Sequence, residues 1–572
     1  MVTWNDLGEL DRWIVNRYLA LLRRFGCKDF GIEEARKALE AENLSLENVN
    51  KLIAELRKYD LIEIKIDPSD PKKRLYRLKS PQIAETTRAL KGRDELFRLL
   101  KECADIIRTA VDYKVLLLLL FYKAVSDKWE KLVEQYKKEG YDEESAKIVA
   151  NEDYIRLYDE AENKSYSWHE IIREYNIREI ANALVKISEM NSDPNHPPVL
   201  KGLDRLVDRV GLRELAESEK VFILEEIIKR FNNYDFSEVD YDLLGEGYQW
   251  ILHYFAPAHA KEGEVYTPTC VIKLLIKLLD TRKGIVLDPA CGSGAMLVEA
   301  YKHAKDNVEL YGQDYNEVTA TIARMFLALS GIKVYEIYDG DSLANPQFGE
   351  ADYVVANPPW NQDRDVKTLE ERKDIYEFGI PPKTTMDWAW VQLMLHFAKK
   401  KVGIVLDQGA LFRGGKEAKI REKIVRNDLI EAVILLPEKL FYNTGAAGII
   451  MILNKEKPED RKGKILFINS SNEFVKHPEV KKLNILSDEN IDKIVKAYER
   501  FEDIDGFARV VSLDEIRSKD YNLNVTNYVM PIVEEEEIDL TKEISELRRL
   551  EEMRTDLLER VENYVEEITR VM

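Results

Sequence analysis

From about residue 265 the chain alternates short β-branched runs with stretches of helical periodicity, and few folds accept that alternation. The runs are 285–287, 308–311, 334–338, 353–356, 402–406, 432–436, 449–453 and 465–468. Strands separated by helices need crossover connections, so the pattern predicts a doubly wound, mostly parallel α/β sheet. Such sheets bind ligands beyond the carboxyl ends of their strands. The residues that follow each run are therefore the first candidates for chemistry.

At about 150 residues per domain, 572 residues suggest roughly three or four domains. Residues 1–82 read as a winged-helix-like unit. Helices are expected over 10–25, 32–42 and 46–59, the last behind a Ser45 cap. Alternating apolar residues over 61–66 and a basic strand over 72–79 then form a hairpin. Such a wing can contact nucleic-acid phosphates or another protein. Residues 83–260 read as helical throughout, without a catalytic constellation. Residues 261–475 hold the alternating segment, and 476–572 a helical, coiled-coil end. There a heptad seam runs through Leu540, Leu547, Leu550, Leu557, Val561, Tyr564, Ile568 and Val571, broken at Glu543 and Arg554. That helix either packs on its own protein or pairs with a partner.

Four motifs carry the chemistry. Asp288-Pro289-Ala290-Cys291-Gly292-Ser293-Gly294 follows the 285–287 strand and opens a helix. Its glycines let a ligand approach the backbone. Leu297 stands where a dinucleotide fingerprint needs its third glycine, and no Lys makes a phosphate loop. The acid ahead of the glycines suits an amine better than a pyrophosphate. Asp314 ends the next strand, where an acid commonly accepts ribose hydroxyls. Asp341, after the third strand, can accept a hydrogen bond from an adenine amine. Asn357-Pro358-Pro359-Trp360 follows the fourth strand directly. Two prolines remove amide donors and fix the backbone. Free carbonyls, an Asn oxygen and a flat indole together make a cradle for a planar group bearing an exocyclic amine. Acceptors on both hydrogens of such an amine draw its nitrogen toward tetrahedral geometry and aim its lone pair.

These motifs resemble the amino-group DNA methyltransferases that use S-adenosylmethionine. Their order, with Gly263-Glu264-Val265-Tyr266-Thr267-Pro268 before the glycine loop and Asn-Pro-Pro-Trp after it, resembles the gamma class of chiefly adenine-N6 enzymes. Segments at 411–414, 436–445 and 520–524 narrow the likeness to the modification subunit of type I restriction-modification systems. The resemblance covers roughly residues 90–572. It implies an S-adenosylmethionine-dependent methyltransferase sheet in which Glu264, Tyr266, Thr267 and Pro268 hold the cofactor's methionine end, near a helix N-terminus. Asp288 would contact the methionine amine, and Ala290, Gly292, Ser293 and Gly294 would line the cofactor's flank. Asp314 would hold the ribose and Asp341 the adenine amine. Asn357 and the Pro358 carbonyl would bind the target amine, with Pro359 stiffening the turn and Trp360 stacking on the base. Phe441 or Tyr442 would close the other face. The base has to be flipped out of the duplex first, and no metal is needed.

No target-recognition domain stands out after residue 468. Sequence readout needs side chains at base edges, so a separate specificity subunit is expected to supply it, docked on the C-terminal helix. A second copy of this subunit and a restriction (nuclease/translocase) subunit are further candidate partners. Methylation of RNA or of protein glutamine, and a winged-helix regulator with a cofactor-sensing domain, stand as alternatives.

The net charge is -20, which read alone argues against nucleic acid. The total averages unlike regions, however. Residues 72–79 hold five cations and no acid, whereas residues 531–572 hold 6 Lys and Arg against 14 Asp and Glu, a net of -8. The isolated chain is thus expected to bind DNA weakly. Cys27, Cys103, Cys270 and Cys291 share no metal-ligand spacing. The N-terminus has acids and no apolar core segment, and the longest apolar run, 115–122, is too short for a bilayer. A cytoplasmic location without a membrane partner is expected.

Overall fold

The computed structural model describes residues 10–25, 28–42, 44, 49–67, 70–79, 88–108, 110–173, 177–195, 197–259, 267–305, 307–441, 444–478, 480–531 and 540–571. Ser45, Glu264, Tyr266 and Tyr442 lie outside the described residues. Among the described residues no helix is long and apolar enough to cross a membrane.

The first unit holds helices α1 (Arg12–Phe25), α2 (Ile32–Ala41) and α3 (Val49–Lys58). Strands β1 (Asp29–Phe30), β2 (Ile62–Asp67) and β3 (Asp70–Leu78) form a three-stranded sheet in the order β1-β3-β2. Each helix buries apolar residues at three and four spacing, as in Val49, Leu52, Ile53 and Leu56 of α3. Glu34 stops the backbone ahead of α2 by accepting the Gly31 N–H at 2.6 Å.

A helical region follows, from α4 (Arg93–Ile107) and α5 (Lys114–Lys138) to α6 (Tyr241–His259). The helical reading of this region needs one correction. Two-residue strands pair Arg88–Ala89 with Tyr234–Asp235, and Tyr158–Asp159 with Lys164–Ser165. Such pairs are too short to leave a period-two signal in the sequence. The N-terminal half of α5 is buried on all sides, which marks the centre of this region's core. Lys123, fully buried there, is neutralised by Asp127, which also accepts the Phe236 N–H at 2.8 Å. The region is fixed to the sheet that follows it. Tyr248 of α6 stacks on Phe326 at 5.3 Å, and the Arg324 guanidinium reaches the Lys201 carbonyl at 2.8 Å and the Ile337 carbonyl at 2.6 Å.

That sheet has nine strands. They are β4 (Gly284–Asp288), β5 (Val308–Asp314), β6 (Tyr335–Asp339), β7 (Ala351–Ala356), β8 (Ala398–Asp407), β9 (Ile430–Leu435), β10 (Gly448–Asn454), β11 (Lys464–Asn469) and β12 (Ala508–Ser512). Their order is β6-β5-β4-β7-β8-β10-β9-β11-β12. The five strands from β6 to β8 run parallel, whereas β10 and β12 run antiparallel to their neighbours. Helices α7 (Thr269–Leu279), α8 (Ala295–Ala304), α9 (Glu317–Leu329) and α10 (Asp488–Arg500) share one core with Val355 and Val405. Trp388 and Leu393, with Ile420 and Ile424, cover the other face with Val354, Ala356 and Ile404. Successive residues of one strand thus enter opposite cores. This explains why the central strands read as continuous apolar runs.

All eight expected strands are present. The ninth, β12, lies past the expected limit at 475 and pairs with β11 in the same sheet. It is a short edge strand with Arg509 and Ser512 in it, so its composition does not announce it. Strand order reverses between β4 and β7. This switch point, where crossovers leave in opposite directions, is where doubly wound sheets hold ligands. The chain ends in α11 (Leu540–Val571), a 32-residue helix. Leu547, Leu550, Leu557 and Val561 of its seam are 54–64% exposed. The side chains of Leu540, Tyr564, Ile568 and Val571 lie outside the described residues.

Candidate active site at the strand switch point

The turn after β4 is held by its own backbone and by the next strand. Asp288 accepts the Ala290 N–H at 3.0 Å, the Cys291 N–H reaches the Gln313 carbonyl at 3.0 Å, and the Gly292 N–H reaches Asp314 Oδ2 at 3.0 Å. Gly292 has φ +53 and Gly294 φ +83, a region that costs other residues free energy. Gly294 is also crowded, because a Cβ there would lie 3.2 Å from Ala323 Cβ on α9. Gly294→Ala is therefore expected to lower stability by about 1–3 kcal/mol, read as a lower unfolding midpoint. An unchanged midpoint would show that α8 and α9 can part freely.

Three acids stand at successive strand ends. Asp288 is buried, and that desolvation pushes its carboxyl up to about 8, against a single backbone N–H that favours ionisation. Asp314 is also raised by burial, although the Asn316 and Gly292 N–H groups stabilise its charge. Its two oxygens staple the first turn to the second. Asp341 differs from the free acceptor expected from the sequence. Arg364 holds both its oxygens, at 2.9 and 2.6 Å, and Leu343 N–H adds a third bond at 3.1 Å.

The turn after β7 brings its Asn into a fixed pose. Trp360 Nε1 donates to Asn357 Oδ1 at 2.9 Å and faces the Val405 carbonyl at 3.3 Å. An indole N–H can only donate, so the atom it meets must be the amide oxygen. Asn357 Nδ2 then points at Thr267 Oγ1, at 2.9 Å. Pro358 is buried and Pro359 exposed. Among the described residues none donates to the Pro358 carbonyl. Trp360 meets Phe441 edge-on at 4.7 Å. Gly448 makes room for both rings, since a Cβ there would lie 2.8 Å from Phe441 and 3.0 Å from Trp360. Thr267 sits just ahead of Pro268, the N-cap of α7.

Sequence reasoning missed the anchor beneath this turn. Asn361, at φ +52, donates its N–H to Asp387 at 3.1 Å and accepts from Arg413 Nη1 at 2.8 Å. Arg413 also binds Asp387, Asp407 at 3.1 Å and Glu417 at 2.9 Å. Burial pushes Asp387 up to about 6 while the Arg413 charge opposes it. The sequence singled out 411–414 as a family-like segment and gave Arg413 no role. Its partners stand 26 and 52 residues away, which only the topology brings together.

One cavity of about 1740 Å³ gathers most of these groups. Ala290, Gly292, Ser293, Asp314, Asp341 and residues 357–360 line it, as does Phe441, which packs edge-on against Trp360 and does not face it across the cavity. Asp288 and Thr267 line a smaller adjoining cavity that shares Ala290, Gly292, Ser293 and Asn357 with it. Gly294 lines neither and serves as the N-cap of α8. Lys114, Arg205 and Arg209 of the helical region also line the large cavity, which no sequence pattern indicated.

A family model described as N-6 DNA Methylase matches residues 239–537, and one described as HsdM N-terminal domain matches 96–231. The MjaVII type I restriction enzyme methylase subunit of Methanocaldococcus jannaschii is 53% identical over 99% of each chain. The MjaVIII methylase subunit of the same organism is 50% identical over 98% of this chain and 99% of its own. The crystal structure of a type I restriction-modification methyltransferase subunit from Streptococcus thermophilus matches with TM-score 0.67 and 26% identity, over 77% of this chain and 100% of that chain.

Proposed function

The chain belongs to the N-6 DNA methylase family as a type I restriction enzyme methylase subunit, and from that premise we propose that it transfers a methyl group from S-adenosylmethionine to the N6 amine of an adenine flipped out of duplex DNA. The observation that carries this reading is the pose of Asn357. Its amide oxygen is oriented by a donor-only indole, and it lines one small cavity with the buried carboxyl group of Asp288 at the switch point.

The residues present fit the cofactor. Asp288 is buried with one backbone donor, which suits the methionine ammonium. At Gly292 a Cβ would meet nothing within 4 Å, so the turn leaves open space on that side. Thr267 and the start of α7 would face the methionine carboxylate, Asp314 the ribose hydroxyls. Asp341 would share its carboxylate between Arg364 and the adenine amine. When bound, the cofactor supplies a methyl group on a sulfonium, which needs no further activation.

The chain's own contribution is orientation. Asn357 Oδ1 has a second lone pair free of Trp360, and the Pro358 carbonyl is free of any described donor. These two acceptors would take the two hydrogens of the target amine. Both hydrogens then lie on the protein side, and the nitrogen lone pair points away from it. Trp360 would stack on the base, with Phe441 bracing its indole edge-on and not closing the second face. A near-attack arrangement of this kind supplies most of the rate in a transfer that needs no added nucleophile.

The test uses labelled cofactor and duplex DNA, with and without a specificity subunit. Label recovered as N6-methyladenine only with that partner supports the proposal, and label on protein or RNA refutes it.

Asp288 gives a pH prediction. Its folded-state pKa stands near 8, above the 3.8 of the unfolded chain. Its burial therefore costs nothing below pH 4, and stability falls as pH rises from about 4 toward 8. An ammonium placed beside it favours the carboxylate, so binding at pH 6.5 is expected to expel close to one proton. Affinity should rise with pH and level off above about 8. Calorimetry in two buffers of different ionisation heat reads the proton directly. Asp288→Asn should abolish the release, and an unchanged release in that variant would place the amine elsewhere.

A further inference from the structure

The N-terminal unit lies outside both matched family models, the earlier of which begins at residue 96, and the active site uses none of its residues. Its charge runs against the rest of the chain. Residues 10–79 carry 16 Lys and Arg against 12 Asp and Glu, a surplus of four cations in a protein of net charge -20. Some are neutralised locally. Arg77 meets Asp29 at 2.6 Å, Lys79 meets Asp60 at 2.7 Å and Lys58 meets Glu55 at 3.5 Å. Lys51 and Arg57 on α3, and Lys73 and Arg74 on β3, are exposed and have no acidic partner among the described residues.

Lys51 and Arg57 lie on α3, and Lys73 and Arg74 lie on the hairpin that packs beside it, pointing to opposite faces of β3. Helix α3 turns Val49, Leu52, Ile53 and Leu56 into the core and packs on β2. At 100° per residue, positions 50, 51, 54, 57 and 58 then share the outward arc, and no acid lies within it. The β2–β3 hairpin pairs Ile62 with Leu78, Ile64 with Tyr76 and Ile66 with Arg74. These pairs share one hairpin face. The first is buried in the core, whereas at the third Ile66 is 69% exposed. The hairpin therefore runs out past the helices, and Arg74 continues the face that packs on α3.

We propose that α3 and the β2–β3 wing form a phosphate-binding face that grips duplex DNA without reading its sequence. The choice of DNA follows from the composition of the face. Protein interfaces are depleted in Lys and centre on apolar residues, but Ile66 is the one exposed large hydrophobic residue among the described residues of this unit. Cations without acidic partners on a helix and an adjacent ribbon suit a phosphate backbone, Lys51 being held over the Trp13 ring at 5.4 Å. The inference rests on the proposed function only in naming DNA as the nucleic acid.

The test compares the full-length wild type with an Arg57→Gln, Lys73→Gln, Arg74→Gln variant. Both are titrated against a labelled duplex over a salt series, without a specificity subunit. Each lost phosphate contact reduces the slope of log K against log salt by about 0.9. The variant is expected to lose roughly 2–3 in slope, with affinity at least about 10-fold weaker at low salt, and to bind cofactor as the wild type does. A slope and affinity equal to wild type overturn the proposal. So does an unchanged slope with lost co-purification of a specificity subunit or second copy, which would make this a protein-docking face. Failure of the wild type to methylate adenine would strike the proposed function and leave this measurement standing.

Discussion

Replacing Asn357 by Ala is expected to slow methyl transfer by roughly 10²–10³-fold or more, the usual cost of removing one preorganised hydrogen-bonding group from a transition state. Cofactor affinity should change little. Toward the cofactor side the Asn357 amide makes one hydrogen bond among the described residues, to Thr267 Oγ1, and a hydroxyl that loses one donor can turn to water. The variant should therefore separate kcat from cofactor Kd. Trp360→Phe sharpens the test. Phe keeps a flat ring against Phe441 but lacks the N–H that fixes the Asn357 amide. Freed of that donor, the amide can present its NH₂ to the target amine, donor against donor. A loss of about 10-fold in kcat with unchanged KM for DNA is expected, in line with about 1–1.5 kcal/mol for one hydrogen bond. If Asn357→Ala instead abolishes cofactor binding, the site has been misplaced. If Trp360→Phe is silent, the ring alone matters.

How much of this was legible in the sequence depends on the range of the interaction. The central strands were legible because burial on both faces leaves unbroken apolar runs such as 449–453; of the two edge strands, β6 was legible from its aromatic and β-branched residues and β12, with Arg509 and Ser512 in it, was not. The direction of β10 was not legible either, since pairing direction is set by connections and not by composition. The motifs at strand ends were legible because each is local: glycines at φ +53 and +83, and an Asn ahead of two prolines. The partners of those motifs were not. Arg364 on Asp341 and Arg413 beneath Asn361 are ordinary surface-type residues in the sequence, and only the crossovers bring them inward. Lys114, Arg205 and Arg209 reach the cavity from another region altogether. The three-helix and wing pattern of the first unit was visible, but which of its cations are already neutralised by Asp29, Asp60 and Glu55 was not.

Deleting residues after 538 is expected to abolish co-purification with the specificity subunit while leaving the melting and cofactor binding of the remaining chain unchanged. Helix α11 carries Ile544, Leu547, Leu550, Met553, Leu557, Leu558, Val561 and Val565 at 49–64% exposure, so about half of this apolar surface is open to a partner. Fully burying one such side chain is worth about 1.5–3 kcal/mol. A partner that covers four of them therefore gains several kcal/mol, enough to order the helix and still bind tightly. The stripe repeats in heptads, which favours a helix as the covering element. The acids of residues 531–572, a net of -8, disfavour DNA in that role and disfavour self-pairing by like-charge repulsion. A point variant isolates the stripe from mere length. Leu550→Glu with Leu557→Glu should abolish the complex as completely as the deletion, because two carboxylates cannot be buried in an apolar seam. Unchanged co-purification after the deletion would sink the assignment. So would an isolated chain that is dimeric and becomes monomeric on deletion, since the helix would then be shown to bind its own copy.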